Sequence, residues 1–408
     1  MRPDPQRLRF EITARDGRAR CGVLHTAHGP VHTPAFIPLA TTGAVRGLTA
    51  REVAELGFEL ILGNTFHLFL RPGAEALRER GRLHRFMGWD RALITDSGGF
   101  QVFSLAHGSV ADEIKGRRGR VPGHGSILEI AEEGVRFRSY IDGTELFMGP
   151  EESLAMQAAI GSDIALAFDE CTPFHADYDY TARSTERTHR WLDRCVAWHE
   201  RHGPPRQALF GIVQGGVYEE LRRASAERVS AAPIDGISIG GTLGEDKPQM
   251  YEVLDMTLPH LPEEAPKHLL GIGEPDDLIA GIRRGIDVFD CAVPTRLGRH
   301  GMALAPLPGG RFRLNVRSTK LAADEGPLVE GCPCEACRSH TRAYLHYLSR
   351  AEELTAVRLL TIHNLTYLER LVANARAAIE AGELDAYAAR IADGVPPWAA
   401  WPTAGSAR

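Results

Sequence analysis

The chain has 408 residues, enough for two or three average domains or for one large barrel with an appendage. Hydrophobic residues make up 43% and charged residues 25%, which excludes a mostly disordered chain. A net charge of −6 argues against a protein that coats nucleic acid by bulk positive charge, but not against one that grips it with a local basic patch.

The first element in chain order is a β-hairpin: residues 7–34 alternate polar and apolar around an Asp16-Gly17 turn. Its predecessor, MRPDPQRLRF, lacks the apolar core of a secretory signal, and no apolar run approaches the roughly 20 residues of a membrane span. The expected compartment is the cytoplasm, with no membrane partner. Eight short apolar runs follow, beginning at Pro34, Glu59, Ala92, Asp163, Ala208, Gly236, His268 and Ile286, each stopping at glycine or a polar residue.

Helical patterns separate most of these runs. LTAREVAELG carries a capping box, Thr49 with Glu52, and stops at Gly57. PEESLAMQAAIG begins with Pro150 and stops at Gly161, and Thr181–His202, Val217–Ala232 and Pro275–Arg284 are also helix-like. Continuous apolar strands alternating with helices predict a parallel sheet covered by helices. Eight units predict a (β/α)₈ TIM barrel over residues 34–304, behind an N-terminal hairpin over 1–33, with a doubly wound open sheet as the structural alternative. A Gly- and Arg-containing stretch, 106–126, is read as a loop insertion. Residues 305–385 hold a cysteine cluster and a long helix (Leu359–Ala381), and 386–408 are expected to be a loose tail.

Acids stand at three predicted strand ends: Asp96 in ITDSGG, Asp169 in AFDEC and Asp290 in VFDC. Any one of them suits a turn or helix cap; three together favour a shared site, since catalytic groups of a barrel lie where its strands end. Two carboxylates around one acetal-like carbon suffice for retaining glycosyl transfer, one as nucleophile and the other as acid and base. Neighbouring strand ends offer Gln214 and the Gly240-Gly241 backbone. A carboxylate beside an amide and glycine N–H groups matches the edge of guanine, whose N1–H and N2–H₂ donate while O6 and N7 accept. Phe100 offers a stacking face.

Of seven cysteines, Cys332, Cys334 and Cys337 fall within six residues, which in a reducing compartment reads as metal rather than disulfide chemistry. Three thiolates need a fourth tetrahedral ligand to hold structural zinc, and His340, His346 and His363 are all candidates. Residues 281–320 carry eight basic groups against two acidic ones, the expected site of phosphate contact.

The motifs DSGGFQVFSL, FDECTPF, FGIVQGG, GIGEPDDL, FDCAVPTRLGR and CxCxxC with a downstream His, in this order, resemble the bacterial queuine tRNA-ribosyltransferase (tRNA-guanine transglycosylase) family from about Leu8 to Glu383. The resemblance implies a barrel with an inserted zinc subdomain and exchange, without ATP, of the wobble guanine of GUN-anticodon tRNAs (Asp, Asn, His, Tyr) for preQ1. It implies Asp290 as the nucleophile on ribose C1′, giving a covalent tRNA intermediate, and Asp96 as general acid/base. Asp169, Gln214 and Gly241 would read the base, Cys171 would line the pocket, and Phe100 and Leu270 would sandwich the base. Arg296 and Arg299 would bind tRNA, His363 would be the fourth zinc ligand, and a homodimer would take one tRNA.

The chain departs from that pattern in places. GGTLGE (Gly240 to Glu245) is one residue shorter than the usual pocket loop, so a different 7-deazaguanine or nucleic-acid substrate is the enzymatic alternative. Glu274 stands where lysine is frequent, and Leu270 where methionine is. An inactive partner subunit would lack Asp96 or Asp290, and both are present.

Overall fold

A computed structural model describes residues 7–104, 127–172, 176–241, 244–307 and 311–399. The expected 106–126 insertion, Thr242 and Leu243 of the short loop, and residues 400–408 of the tail lie outside these.

The hairpin is present, strands β1 (Arg9–Asp16) and β2 (Ala19–Thr26), and a third strand, β3 (Gly29–Thr33), extends it to an antiparallel sheet. The barrel begins with β4 (Ala35–Ala40), β5 (Leu60–Gly63) and β6 (Ala92–Thr95). An unforeseen antiparallel sheet follows: β7 (Ile127–Ile130), β8 (Val135–Arg138) and β9 (Glu145–Met148). The barrel resumes with β10 (Ile164–Leu166), β11 (Ala208–Val213), β12 (Gly236–Ile239), β13 (Lys267–Leu269) and β14 (Val288–Cys291). It closes where β14 pairs with β4, Asp290 opposite Ile37, so the open-sheet alternative does not hold. All eight apolar runs are barrel strands.

These strands are predominantly apolar because both faces are covered. Inward residues such as Ile37, Leu62, Ile94, Leu166, Phe210 and Val288 form one cluster, while their neighbours Phe36, Ile61, Leu93, Leu209 and Phe289 pack beneath the helices. Leu8, Leu24 and Val31 join the inward cluster, so the N-terminal sheet stoppers the end of the barrel where the strands begin. Truncating a plug such as Phe210, 1% exposed, to alanine would cost about 3–5 kcal/mol. Acids fasten this end. Asp163, Asp235 and Asp287 each precede a strand and accept the backbone N–H of Leu93, Leu209 and Lys267 on the neighbouring strand at 2.7–2.9 Å. Asp287 also takes two hydrogen bonds from buried Arg20.

Local sequence sets the helix ends. Thr49 and Glu52 form the reciprocal capping box of Ala50–Glu55. Pro150–Ile160 stops at Gly161, whose φ of +80° suits glycine. The helix expected from Thr181 begins at Tyr178 because the Asp177 side chain accepts from Tyr180 N at 2.7 Å.

The cysteine-bearing part is inserted between the last barrel strand with its short helix, Val293–Arg299, and the 28-residue helix Leu354–Ala381 that returns to pack on that helix and on β4. It contains the hairpin β15 (Met302–Leu307) and β16 (Arg311–Asn315), with helices Glu335–Ser339 and Arg342–Arg350. The expected tail is corrected over its described part. Tyr387 and Ile391 are buried on helix Leu384–Ala392, and the Trp398 ring packs on Tyr367 with centroids 5.7 Å apart. These apolar residues have the long helix to cover, which a composition rich in Pro and Ala conceals.

Candidate active site

Six of the expected residues stand at one end of the barrel, where the strands finish: Asp96 after β6, Asp169 after β10, Gln214 after β11, Gly241 after β12, Leu270 after β13, and Asp290 within β14. Thr65 N donates to Asp96 Oδ1 at 2.8 Å, and Asn64 Nδ2 donates to Oδ2. Burial pushes the Asp96 carboxyl up to about 7, and the negative charges of Asp290 and Asp169 push the same way against the hydrogen bonds from Thr65 and Gly98. That repulsion places the three acids in one electrostatic site.

Asp169 is buried. Ser97 Oγ donates to its Oδ1 at 2.7 Å and Gln214 Nε2 to its Oδ2 at 2.6 Å; burial raises it to about 6. Gly99 permits this approach, since a Cβ there would lie 3.0 Å from Asp169 Oδ1 and closer still to its carbonyl. Gln214 Oε1 is buried with no hydrogen-bond partner among the described residues, so a donor group entering here would satisfy it. Gly241, at φ +81°, lies against that atom: a Cβ would come within 2.5 Å of it. Leu270 flanks Gly240, and Phe100, on the first turn of helix Gly99–Ser104, is 44% exposed, an aromatic face open at the mouth.

Asp290 is buried and accepts at Oδ1 from His268 Nε2 at 2.9 Å and from Gly271 N at 3.3 Å, whereas Oδ2 takes no hydrogen bond from the described residues. The neighbouring Glu170 has a different part: Tyr180 and Arg187 hold its buried carboxylate, which ties the Tyr178–His202 helix to the barrel. Arg222, wholly buried, donates to the carbonyls of Gly216, Val213 and Gly240 and so braces the two glycine loops. Cys171 lies near enough to bear on it electrostatically.

Arg296 and Arg299 are exposed on the helix that follows β14. Arg46, from the loop after β4, joins them: burial and the charges of Arg46 and Arg296 lower the Arg299 guanidinium from its usual value. Glu274 pairs with Arg313 of the inserted hairpin.

Sequence reasoning missed Asn64, Thr65, Ser97, Arg222, His268 and Arg46. Asn64 closed an apolar run already identified as a strand, a position that carried the signal; His268, inside its strand, and Arg46 and Arg222 gave none.

Cys332, Cys334, Cys337 and His363 converge, with His363 Nδ1 3.3–3.6 Å from the three sulfurs. A tetrahedral ion held about 2.3 Å from sulfur and 2.0–2.1 Å from nitrogen sets S and N about 3.6 Å apart, so the four donors could hold a metal ion. The other ring nitrogen, Nε2, donates to Leu304 O at 2.7 Å, which aims Nδ1 at the sulfurs. His340 stacks on Tyr344 and His346 bonds Val316 O, away from the cluster. Among the described residues no helix is long and apolar enough to cross a membrane.

The family model for queuine tRNA-ribosyltransferase matches residues 16–397. A queuine tRNA-ribosyltransferase of Roseiflexus sp. is 52% identical over 386 residues, covering 92% of this chain and 96% of the relative. Those of Symbiobacterium thermophilum and Pelotomaculum thermopropionicum are each 47% identical, covering 93% and 92% of this chain and 90% and 95% of the relatives. A match that takes in every barrel strand, all three strand-end acids and the Cys3His cluster leaves one conclusion: the chain belongs to the queuine tRNA-ribosyltransferase family.

Proposed function

We propose that this chain, a tRNA-guanine transglycosylase by family, replaces the wobble guanine of GUN-anticodon tRNAs with preQ1 by double displacement. In the first step an Asp290 carboxylate oxygen bonds to ribose C1′ as the C1′–N9 bond breaks, and Asp96 gives its proton to the departing guanine. In the second, Asp96 takes the proton of the incoming base, whose nitrogen attacks C1′ and releases Asp290. Two inversions retain configuration. The observation that carries this reading is the pairing of Asp290, one oxygen bound and the other unengaged, with an acid held at about 7, where proton delivery and removal are both accessible near neutral pH.

Asp169, Gln214 and Gly241 read the base. The Asp169–Gln214 hydrogen bond opens so that the carboxylate meets N1–H and N2–H₂ while the amide meets O6, with Phe100 and Leu270 on the faces and Cys171 in the wall. Arg46, Arg296 and Arg299 hold anticodon-loop phosphates, and two copies of the chain share one tRNA. Cys332, Cys334, Cys337 and His363 hold zinc in a closed four-ligand site, which supplies structure rather than chemistry and anchors the inserted hairpin through Leu304.

Exchange of labelled guanine into unmodified tRNA(Tyr) or tRNA(Asp) tests the reaction, with Asp290→Asn expected to abolish it. Absence of incorporation by the wild type into any GUN tRNA would overturn the assignment. Competition among guanine, preQ1, preQ0 and queuine ranks the bases.

A further inference from the structure

Asp290 is gripped on one side only. Its Oδ1 accepts from His268 Nε2 at 2.9 Å and from Gly271 N at 3.3 Å. His268 is fully buried inside the barrel on β13, and behind it Nδ1 lies 3.4 Å from the buried Ser238 hydroxyl of β12. Parallel register explains the alignment: Ser238 pairs with His268, and His268 with Val288, two residues before Asp290 on β14. A carboxylate acceptor requires Nε2 to carry the proton, and Ser238 can then donate to Nδ1. Ser238, His268 and Asp290 thus form a polar line across three strands in an otherwise apolar interior.

We infer that His268 is a positioning residue for the Asp290 nucleophile, and this rests on the transglycosylation reading above. Holding Oδ1 leaves Oδ2, which takes no hydrogen bond from the described residues, as the oxygen available to ribose C1′. The same hydrogen bond acts on both half-reactions. As the Oδ2–C1′ bond forms, the carboxylate gives up negative charge. When that bond breaks and the electron pair returns to Asp290, the N–H of His268 stabilises the recovered anion. His268 transfers no proton, because the proton balance of both steps is met by Asp96 and the bases.

Two amides separate this role from mere filling of the interior. Gln at 268 places an N–H near the reach of Nε2, whereas Asn is too short to reach Asp290 while keeping the same polarity. His268→Asn is expected to lower kcat for guanine exchange by about 10²-fold, in the range of removing one preorganised donor, with KM for tRNA and for guanine changed less than about threefold. His268→Gln should recover to within about tenfold of wild type. The fraction of enzyme trapped as covalent tRNA adduct on a denaturing gel should follow the same order, and circular dichroism melts check the fold. Equal activity in the two amides, or wild-type kcat in His268→Asn, would overturn the inference. Should His268→Asn fail to fold, Ser238→Ala supplies the test: a severalfold drop in kcat at constant KM supports the line, and wild-type kcat overturns it. An inactive wild type would instead refute the parent reaction.

Discussion

Replacing Asp96 by Asn should flatten the pH dependence of folding stability, in a direction set by how its carboxyl titrates. The native group binds its proton up to about 7, against 3.8 for the ordinary side chain. Between those values the folded state holds more protons than the unfolded chain, so the contribution of Asp96 to stability declines as pH rises through the window. Taken at full size, the decline between pH 5 and pH 8 is about 2.6 kcal/mol. Asp96 is only partly covered at the barrel mouth, and solvent screening brings the expected figure to about 1–2 kcal/mol. The asparagine titrates nowhere in this range, although its amide sets a donor against Asn64 Nδ2 and costs something at every pH. Urea unfolding of both proteins at pH 5, 6, 7 and 8 gives the stability difference, in which titrations remote from the site cancel and only the coupled Asp169 adds a smaller contribution of its own. The wild type should lose ground to Asp96→Asn as pH rises. A difference that stays constant, or that moves toward the wild type, would refute an Asp96 carboxyl raised by burial. It would also remove the basis for an acid/base working near neutrality.

Gly241→Ala should raise KM for the free base at least tenfold, because φ of +81° strains any side chain and the new methyl would crowd Gln214 Oε1; steady-state kinetics at saturating tRNA check it. Charge-neutral glutamines at Arg46, Arg296 and Arg299 should weaken tRNA binding at every sequence, and each should reduce the slope of log K against log salt by about 0.7–0.9, measured by filter binding. Chelation of the Cys3His cluster, or Cys334→Ser, should lower Tm and release one zinc per chain by metal analysis; retained Tm would show that the cluster does not anchor the fold.

The barrel was legible because its signal repeats: eight apolar runs covered on both faces leave few other closures. The strand-end acids were legible for the same reason, since a polar residue that terminates such a run must face the barrel mouth. Gln214, the amide partner of Asp169, was legible too; most other partners of the acids escaped. Asn64, Thr65 and Ser97 are short polar residues of kinds that turns use anyway, and only the register of β5 against β6 brings Asn64 and Thr65 to Asp96. His268 was hidden more deeply, because a histidine inside a strand of this kind more often fills space. The β7–β9 sheet carried a weaker signal: VRFR alternates and Gly134 and Asp142-Gly143 mark turns, but each strand is only four residues long, too short for alternation to stand out.

Ion pairing changes the meaning of the basic stretch at 281–320. Four of its arginines are neutralised in place: Arg283 by Asp385, Arg284 by Asp255, Arg313 by Glu274 and Arg317 by Glu352. Their carboxylates come from distant segments, so no local count of charge could discount them. Among the described residues Arg296 and Arg299 have no carboxylate partner, and neither does Arg46, which lies far outside the stretch yet reaches the same mouth. An unpaired guanidinium keeps its full attraction for phosphate, whereas a paired one must first break its bridge. The field available to phosphate is therefore narrower than the sequence suggested: four of the eight basic groups are bridged, while Arg296 and Arg299 stand near Arg46 with their charges free. A net charge of −6 over the whole chain is compatible with such a patch, since the acidic surplus is concentrated elsewhere: residues 241–280 alone hold nine acidic groups against two lysines.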